Sequence, residues 1–330
     1  MSTAPFVPFR RRSFSPWVRY PSMALLYGLG VPAMKLMEKS GLFLRGAAKG
    51  RGRRERFGHF GDYQPTAHDV FACVYFKSGT NWLMQIATQI TKRGRAEFEH
   101  IHEVVPWPDA PDPRYAVPLS DETGWKNSPT GLRVIKTHRR LDEIPFQPQA
   151  RYIGVVRDPK DVCVSSYHFV RDLGFGPMMP SAETWVEFSF TPAFPFGKWS
   201  DHLYSYWQVR NRENVLFMTY EEMKRDLPGT VTRIAEFLKI DLNPEEHAEV
   251  VRKSSFSYMK ENEHKFDTGM ITPWSKPEGR IVRRGETGKS NELLTPAQQK
   301  RIDDHWRAEL ERIGCEFPYD EAFLATNEHK

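Results

Sequence analysis

Cysteine is scarce in this chain. Cys73, Cys163 and Cys315 are odd in number and far apart. No C-x-x-C pair occurs, so the spacing supports neither a zinc site nor a disulfide framework. A reducing, cytoplasmic setting fits that usage best. No H-x-x-x-H with acidic company is present either, and no metal is expected. Long apolar runs are also missing. The stretch from Tyr20 to Met34 is uncharged and apolar, but it has only fifteen residues and Pro32 interrupts it. A helix that spans a bilayer needs about 20. No convincing small-residue cleavage site follows, so a signal peptide is not expected. There is no internal repeat and no long low-complexity segment. The triphosphate loop G-x-x-x-x-G-K-[ST] is absent. No RNA-recognition or helix-turn-helix signature appears, and nucleic acid is not an expected partner.

What is present is a globular composition over 330 residues, 39% of them hydrophobic. A chain of that length can bury most of its apolar surface without disulfides. Nine Trp and 22 Phe are enough to line an apolar pocket, although a core could absorb them all. The net charge of +5 hides an asymmetry. Residues 1–60 carry twelve Lys and Arg against two Asp and Glu, and the remaining 270 residues sum to −5. We therefore divide the chain into a basic N-terminal arm, residues 1–60, and a body, residues 61–330. The preferred expectation for the arm is a solvated basic segment with a helix packed on the body. The alternative is peripheral contact with an anionic membrane through basic flanks around an amphipathic stretch.

Past the Gly/Arg cluster Gly46 to Arg56, read as a linker, strand-like and helix-like patterns alternate. Val70–Phe76, Leu132–Lys136, Tyr152–Val156 and Val215–Thr219 are short apolar runs, as for strands buried on both faces. The alternation predicts βαβ units: a single α/β domain with a central parallel sheet flanked by helices. Asp158-Pro159 predicts a helix start, with an N-cap before a proline at the first helical position. Asn243-Pro244-Glu245-Glu246 and Thr295-Pro296-Ala297-Gln298 add capping boxes. Trp107 to Pro129 and Gly174 to Gly197 read as long excursions, which in compact α/β domains are lids or binding loops.

Three segments carry anion-binding chemistry. Lys77-Ser78-Gly79-Thr80-Asn81-Trp82 follows a strand and opens a helix. Free backbone N–H groups and the positive end of the helix dipole then point at one spot. Ser78, Thr80 and Asn81 add donors and Lys77 a full charge. Arg157 ends another strand, on the side where open α/β sheets bind ligands, and its rigid fork of donors suits a phosphate. Ser165 lies two turns into the helix that follows. Arg283-Arg284-Gly285 sits in a late loop that pairs charge with a backbone able to approach a phosphate.

Taken together and in this order, the three segments resemble the donor-binding motifs of the cytosolic-type sulfotransferase family, over roughly Asp69 to Asp304. Lys77 through Trp82 is similar to the family's 5′-phosphosulfate loop, P-K-S-G-T-T/N-W. Arg157 through Ser165 is similar to its 3′-phosphate motif, R-N-P-K-D-V-x-V-S. Arg283-Arg284-Gly285 resembles its late R-K-G-x-x-G segment. Lys136-Thr137-His138, Thr219 through Lys224, Ser254-Ser255-Phe256 and Gly197 through His202 match lesser landmarks. There are departures. Phe76 replaces the proline before the loop lysine, and Lys289-Ser290-Asn291 stands where D-W-K is common. The K-x-x-x-T-V-x-x-x-E dimer motif is missing from the region Lys260 to Trp274, which leaves the oligomeric state open.

The resemblance implies a P-loop-NTPase-like core and 3′-phosphoadenosine 5′-phosphosulfate (PAPS) as co-substrate. Sulfuryl transfer resembles phosphoryl transfer, where positioning and charge stabilisation dominate. His138 is the expected general base, since an imidazole can take the acceptor's proton near neutral pH. The resemblance assigns Lys77 to the leaving oxygen and Lys136 to the transferring group. It assigns Arg157, Ser165, Arg283, Arg284 and Gly285 to the 3′-phosphate. Trp82, Tyr220 and Phe256 are to meet the adenine, and Ser254 counts among the donor-binding residues. The acceptor is expected to be a small hydroxyl compound: a phenol, an alcohol or a lipid-like molecule. Trp107, Trp125, Trp185, Phe190, Phe194, Phe196 and Trp199 are candidates for its apolar wall. The competing readings are a magnesium-dependent phosphotransferase and a non-catalytic nucleotide- or nucleic-acid-binding protein.

Overall fold

A computed structural model describes residues 15–49, 60–267, 272–274 and 290–324. Four strands form one parallel sheet: β1 (Asp69–Val74), β2 (Arg133–Thr137), β3 (Arg151–Val156) and β4 (Val215–Thr219). Their spatial order is β2-β1-β3-β4, with Cys73 opposite Thr137 on one side and Gly154 on the other. The expected strands are therefore present, within two residues at every end. Successive side chains leave opposite faces. Val70, Ala72 and Val74 enter a core shared with the helix Thr80–Thr91. Phe71 and Cys73 enter a second core with Tyr152 and Tyr206. All three cysteines are free and buried.

This strand order has a functional consequence. After β1 the chain crosses to β2 on one side, and after β3 it runs outward to β4 on the other. The carboxyl ends of β1 and β3 are neighbours at that switch point, where open sheets leave a crevice. Lys77, His138, Arg157 and Tyr220 each follow a strand at this same edge.

The caps form as expected. The Asp158 side chain accepts from the Lys160 N–H, and Pro159 opens the helix Pro159–Val170. Asn243 with Glu246, and Thr295 with Gln298, close complete capping boxes. Two expectations need correction. Gly46–Lys49 is the last turn of a helix, Leu42–Lys49, and not linker. The supposed loop Gly174 to Gly197 contains the helix Ala182–Ser189, capped by Ser181 and anchored by buried Trp185 and Val186. The 8 residues of this helix, set between Pro180 and Pro192, are too few to show a clear helical period. The excursion Trp107 to Pro129 holds only short turns, Pro113–Tyr115 and Thr123–Lys126. Residues Pro16 through Lys39 form a helical stretch, and its Gly30 and Glu38 meet Met178 and Ser181.

Candidate active site

The turn after β1 is built around two backbone conformations. Lys77 (φ 62°) and Gly79 (φ 95°) both lie in the left-handed region. Gly79 is the N-cap of the helix Thr80–Thr91. A Cβ there would sit 2.6 Å from the Tyr220 ring, so both its φ and its surroundings demand glycine. The Ser78 hydroxyl is buried and has no partner among the described residues. An orphaned donor inside a ring of helix-start amides fits an anionic ligand.

Arg157 sits across the crevice. Its guanidinium lies 3.0 Å from Asp161 and stacks 4.5 Å above the Tyr220 ring. Its carbonyl accepts the Trp199 indole N–H at 3.0 Å. Burial opposes the charge, but Asp161, Tyr220 and Glu221 outweigh it and raise the pKa. Tyr220 therefore supports Arg157, abuts Gly79 and meets Trp82 edge-on at 5.4 Å. Trp82 is fixed by its indole N–H, which donates to the Ser254 carbonyl at 2.7 Å.

His138 follows β2. Its Nδ1 lies 2.8 Å from the Val74 carbonyl. A carbonyl only accepts, so Nδ1 carries the proton and Nε2 keeps its lone pair. Burial, then the Lys136 charge, holds the pKa well below the ordinary 6.5, and the ring is neutral. Phe196, Trp107 and Phe76 surround it with centroids at 4.5, 5.9 and 6.4 Å. The Lys136 ammonium stands 3.3 Å above the Trp107 ring. Burial lowers its pKa to about 7, against the pull of Asp109. Asp109 accepts the His138 backbone N–H at 2.9 Å. The Lys77 ammonium lies 4.1 Å over Phe169.

One cavity of about 730 Å³ joins these groups. Lys77, Gly79, Thr80, Asn81, Trp82, Lys136, His138, Arg157, Ser165, Tyr220 and Phe256 all line it. Ser78 and Ser254 are buried and are not among its lining residues. Arg283, Arg284 and Gly285 lie outside the described residues. Of the aromatics expected on the acceptor wall, Trp107 and Phe196 are there. Trp185, Phe190, Phe194 and Trp199 belong to the core instead, and Trp125 stacks on His68 at 3.9 Å. Phe76, Tyr115 and Phe169 line the cavity and escaped sequence reasoning, as did Asp109. Phe76 had a signal, since it replaces a proline at the loop. Among the described residues no group of three or more His, Cys, Asp or Glu is placed to hold a metal ion.

The fold and the cleft define an α/β protein that takes an anionic ligand at a sheet switch point, beside an apolar chamber with a neutral histidine. The family model for the sulfotransferase domain matches residues 67–314. Human sulfotransferase 2A1 is 30% identical over 265 residues, covering 76% of this chain and 88% of that protein. Human sulfotransferase 1C2 is 28% identical over 308 residues, covering 89% and 99%. A crystal structure of mouse sulfotransferase SULT7A1 complexed with PAP superposes with a TM-score of 0.58 at 26% identity, covering 75% of this chain and 85% of that one. Retinol dehydratase in complex with androsterone and PAP shares the fold at a TM-score of 0.61 and 20% identity, over 77% of this chain and 84% of that one. The chain belongs to the sulfotransferase family. It is an enzyme that transfers a sulfuryl group and uses PAPS as co-substrate. This replaces the phosphotransferase and non-catalytic readings.

Proposed function

We propose that this enzyme sulfates a hydroxyl group on a small apolar or amphiphilic acceptor, with His138 as general base. One observation carries the reading. The Nε2 lone pair of a neutral, buried imidazole lies inside a chamber of Phe76, Trp107 and Phe196, in the same cavity as Lys77 and Lys136. Binding pockets for apolar ligands combine such walls with a few placed polar groups. The catalytic domain in this reading is residues 61–330, and residues 1–60 form the arm.

When bound, the donor supplies a sulfuryl group on a phosphate leaving group. Lys77 stabilises charge on the departing bridging oxygen, and Lys136 faces the transferring group. These fixed cations act in a desolvated site, where their effect is large. The acceptor oxygen forms its bond to sulfur while its proton passes to Nε2 of His138. The amides of Ser78 through Asn81 hold the 5′-phosphate. Arg157 and Ser165, with Arg283, Arg284 and Gly285, hold the 3′-phosphate. Trp82, Tyr220 and Phe256 flank the adenine, and Ser254 holds Trp82 in place.

The test uses PAPS carrying labelled sulfur and a panel of a simple phenol, a steroid-like alcohol and a fatty alcohol. Labelled product should form with at least one, and His138→Ala should reduce turnover by roughly 10²–10⁴-fold. The affinity of His138→Ala for 3′-phosphoadenosine 5′-phosphate (PAP) should stay within about threefold, roughly 0.7 kcal/mol. Equal turnover in the variant would remove His138 from the role. Donor binding without transfer to any member would sink the acceptor class.

A further inference from the structure

The helical stretch from Pro16 through Lys39 meets the body along one stripe. Leu26, Gly30, Met34 and Glu38 are half-buried at every fourth position. Gly30 is held so close to Met178 that a Cβ would stand 2.5 Å from its sulfur. The Glu38 carboxylate accepts from both the N–H and the hydroxyl of Ser181 at 2.8 Å. Just beyond, Phe43 packs edge-on against Phe175 and Phe188.

The rest of the circumference is apolar and open. Trp17 is 89% exposed, Tyr20 72%, Leu29 67% and Leu36 67%, and Leu25 and Tyr27 join them. From Tyr20 to Met34 there is no charge on any side. A helix that is apolar all round is one that something covers on all sides, and a patch of this kind marks an interaction surface.

We propose that this helix lies in the plane of an anionic lipid surface and docks the enzyme there. Charge selects the occupant. Arg19 precedes the uncharged run and Lys35, Lys39 and Arg45 follow it, within an arm of twelve cations and two acids. A second copy of the same helix would bring like charges together, whereas anionic headgroups complement them. Length selects the orientation. Fifteen uncharged residues reach about 22 Å as a helix, short of the ~30 Å hydrocarbon layer. Among the described residues no helix is long and apolar enough to cross a membrane. The stripe at Gly30 and Glu38 also fastens the helix along the body. The body-facing contacts Phe175 and Met178 directly follow Leu173 and Gly174, which line the cavity. Docking therefore brings that wall to the lipid. The link to the acceptor rests on the reading above; lipid binding itself does not.

The experiment is co-sedimentation of the full-length protein with vesicles of phosphatidylcholine alone or mixed with phosphatidylglycerol. Partition into the mixed vesicles should be at least about 10-fold stronger and should weaken with salt. Leu25→Glu/Leu29→Glu/Leu36→Glu should lower it by about 100-fold or more. Lys35→Gln/Lys39→Gln should lower it by on the order of 10-fold. Unchanged PAP affinity shows that each variant is folded; should the triple variant fail there, the lysine pair carries the test. The proposal is overturned if wild type stays in the supernatant with both vesicles, or if the folded triple variant pellets like wild type. It is equally overturned if sedimentation analysis finds a dimer that the triple variant dissociates while no vesicle binds. That last outcome would give the face to a second copy and leave the active-site reading untouched.

Discussion

Replacing Arg157 with alanine should cost about 1,000-fold in PAP affinity. The guanidinium is mostly buried, is held 3.0 Å from Asp161 and rests on Tyr220. Its orientation is therefore set before any ligand arrives, and little entropy is lost on binding. A charge-assisted hydrogen bond contributes roughly 1.5–3 kcal/mol, and the fork can give two to one phosphate. Alanine also leaves the buried Asp161 without its Arg157 partner, beside an incoming anion. The sum is about 4 kcal/mol, or three orders of magnitude in Kd. Calorimetric titration with PAP measures it directly. Arg157→Ala combined with Asp161→Asn should recover about 10-fold, because the added repulsion is then gone. Arg157→Lys should fall between, since it keeps the charge and loses the fork. A folded Arg157→Ala protein that binds within about threefold of wild type, roughly 0.7 kcal/mol, would refute the assignment of this residue to the donor.

Three further outcomes can be checked. Burial lowers the Lys136 pKa to about 7, so its charge is lost as pH rises through that value; the rate of sulfuryl transfer should fall above pH 7, and Lys136→Met should flatten that limb of the pH profile. Gly79→Ala puts a Cβ 2.6 Å from the Tyr220 ring at φ 95°; thermal unfolding should show a loss of about 1–3 kcal/mol, with weaker PAP binding. Burial, reinforced by Asp158, raises Glu221 from 4.5 to about 8. Its protonated form then contributes stability that is complete below 4.5 and is lost as pH rises through 8. Glu221→Gln should flatten the melting temperature over that window and melt above wild type beyond it; parallel curves would refute this.

Much of the framework could be read from residue order. The four strands are continuous apolar runs because they are buried on both faces, and that signal survives without any knowledge of neighbours. Asp158-Pro159, Asn243 with Glu246 and Thr295 with Gln298 gave helix starts, because capping is settled within four residues. The helix Ala182–Ser189 was not legible because its 8 residues make little more than two turns, too few for a clear period, between Pro180 and Pro192. The aromatic wall is the part of the site least legible in the sequence. Trp185, Phe194 and Trp199 are chemically as suited to a pocket as Phe76 and Phe169, and only packing decides which side they face. Asp109 had no signal in its own segment, because its partner is a backbone N–H 29 positions away.

By itself, then, the sequence determined which segments are strands, where helices begin, and which residues carry charge or hydrogen-bonding capacity toward an anion. These are short-range properties of composition, period and capping. The tertiary structure decided the rest. The order β2-β1-β3-β4 brings the ends of β1 and β3 together, so that Lys77 and Arg157, far apart in the chain, line one cavity. A carbonyl 64 positions from His138 selects the ring nitrogen that keeps its lone pair. Burial moves Lys136 to a pKa near 7, where its charge depends on pH. Each of these depends on distance and desolvation between residues remote in sequence, and neither exists until the chain has closed on itself.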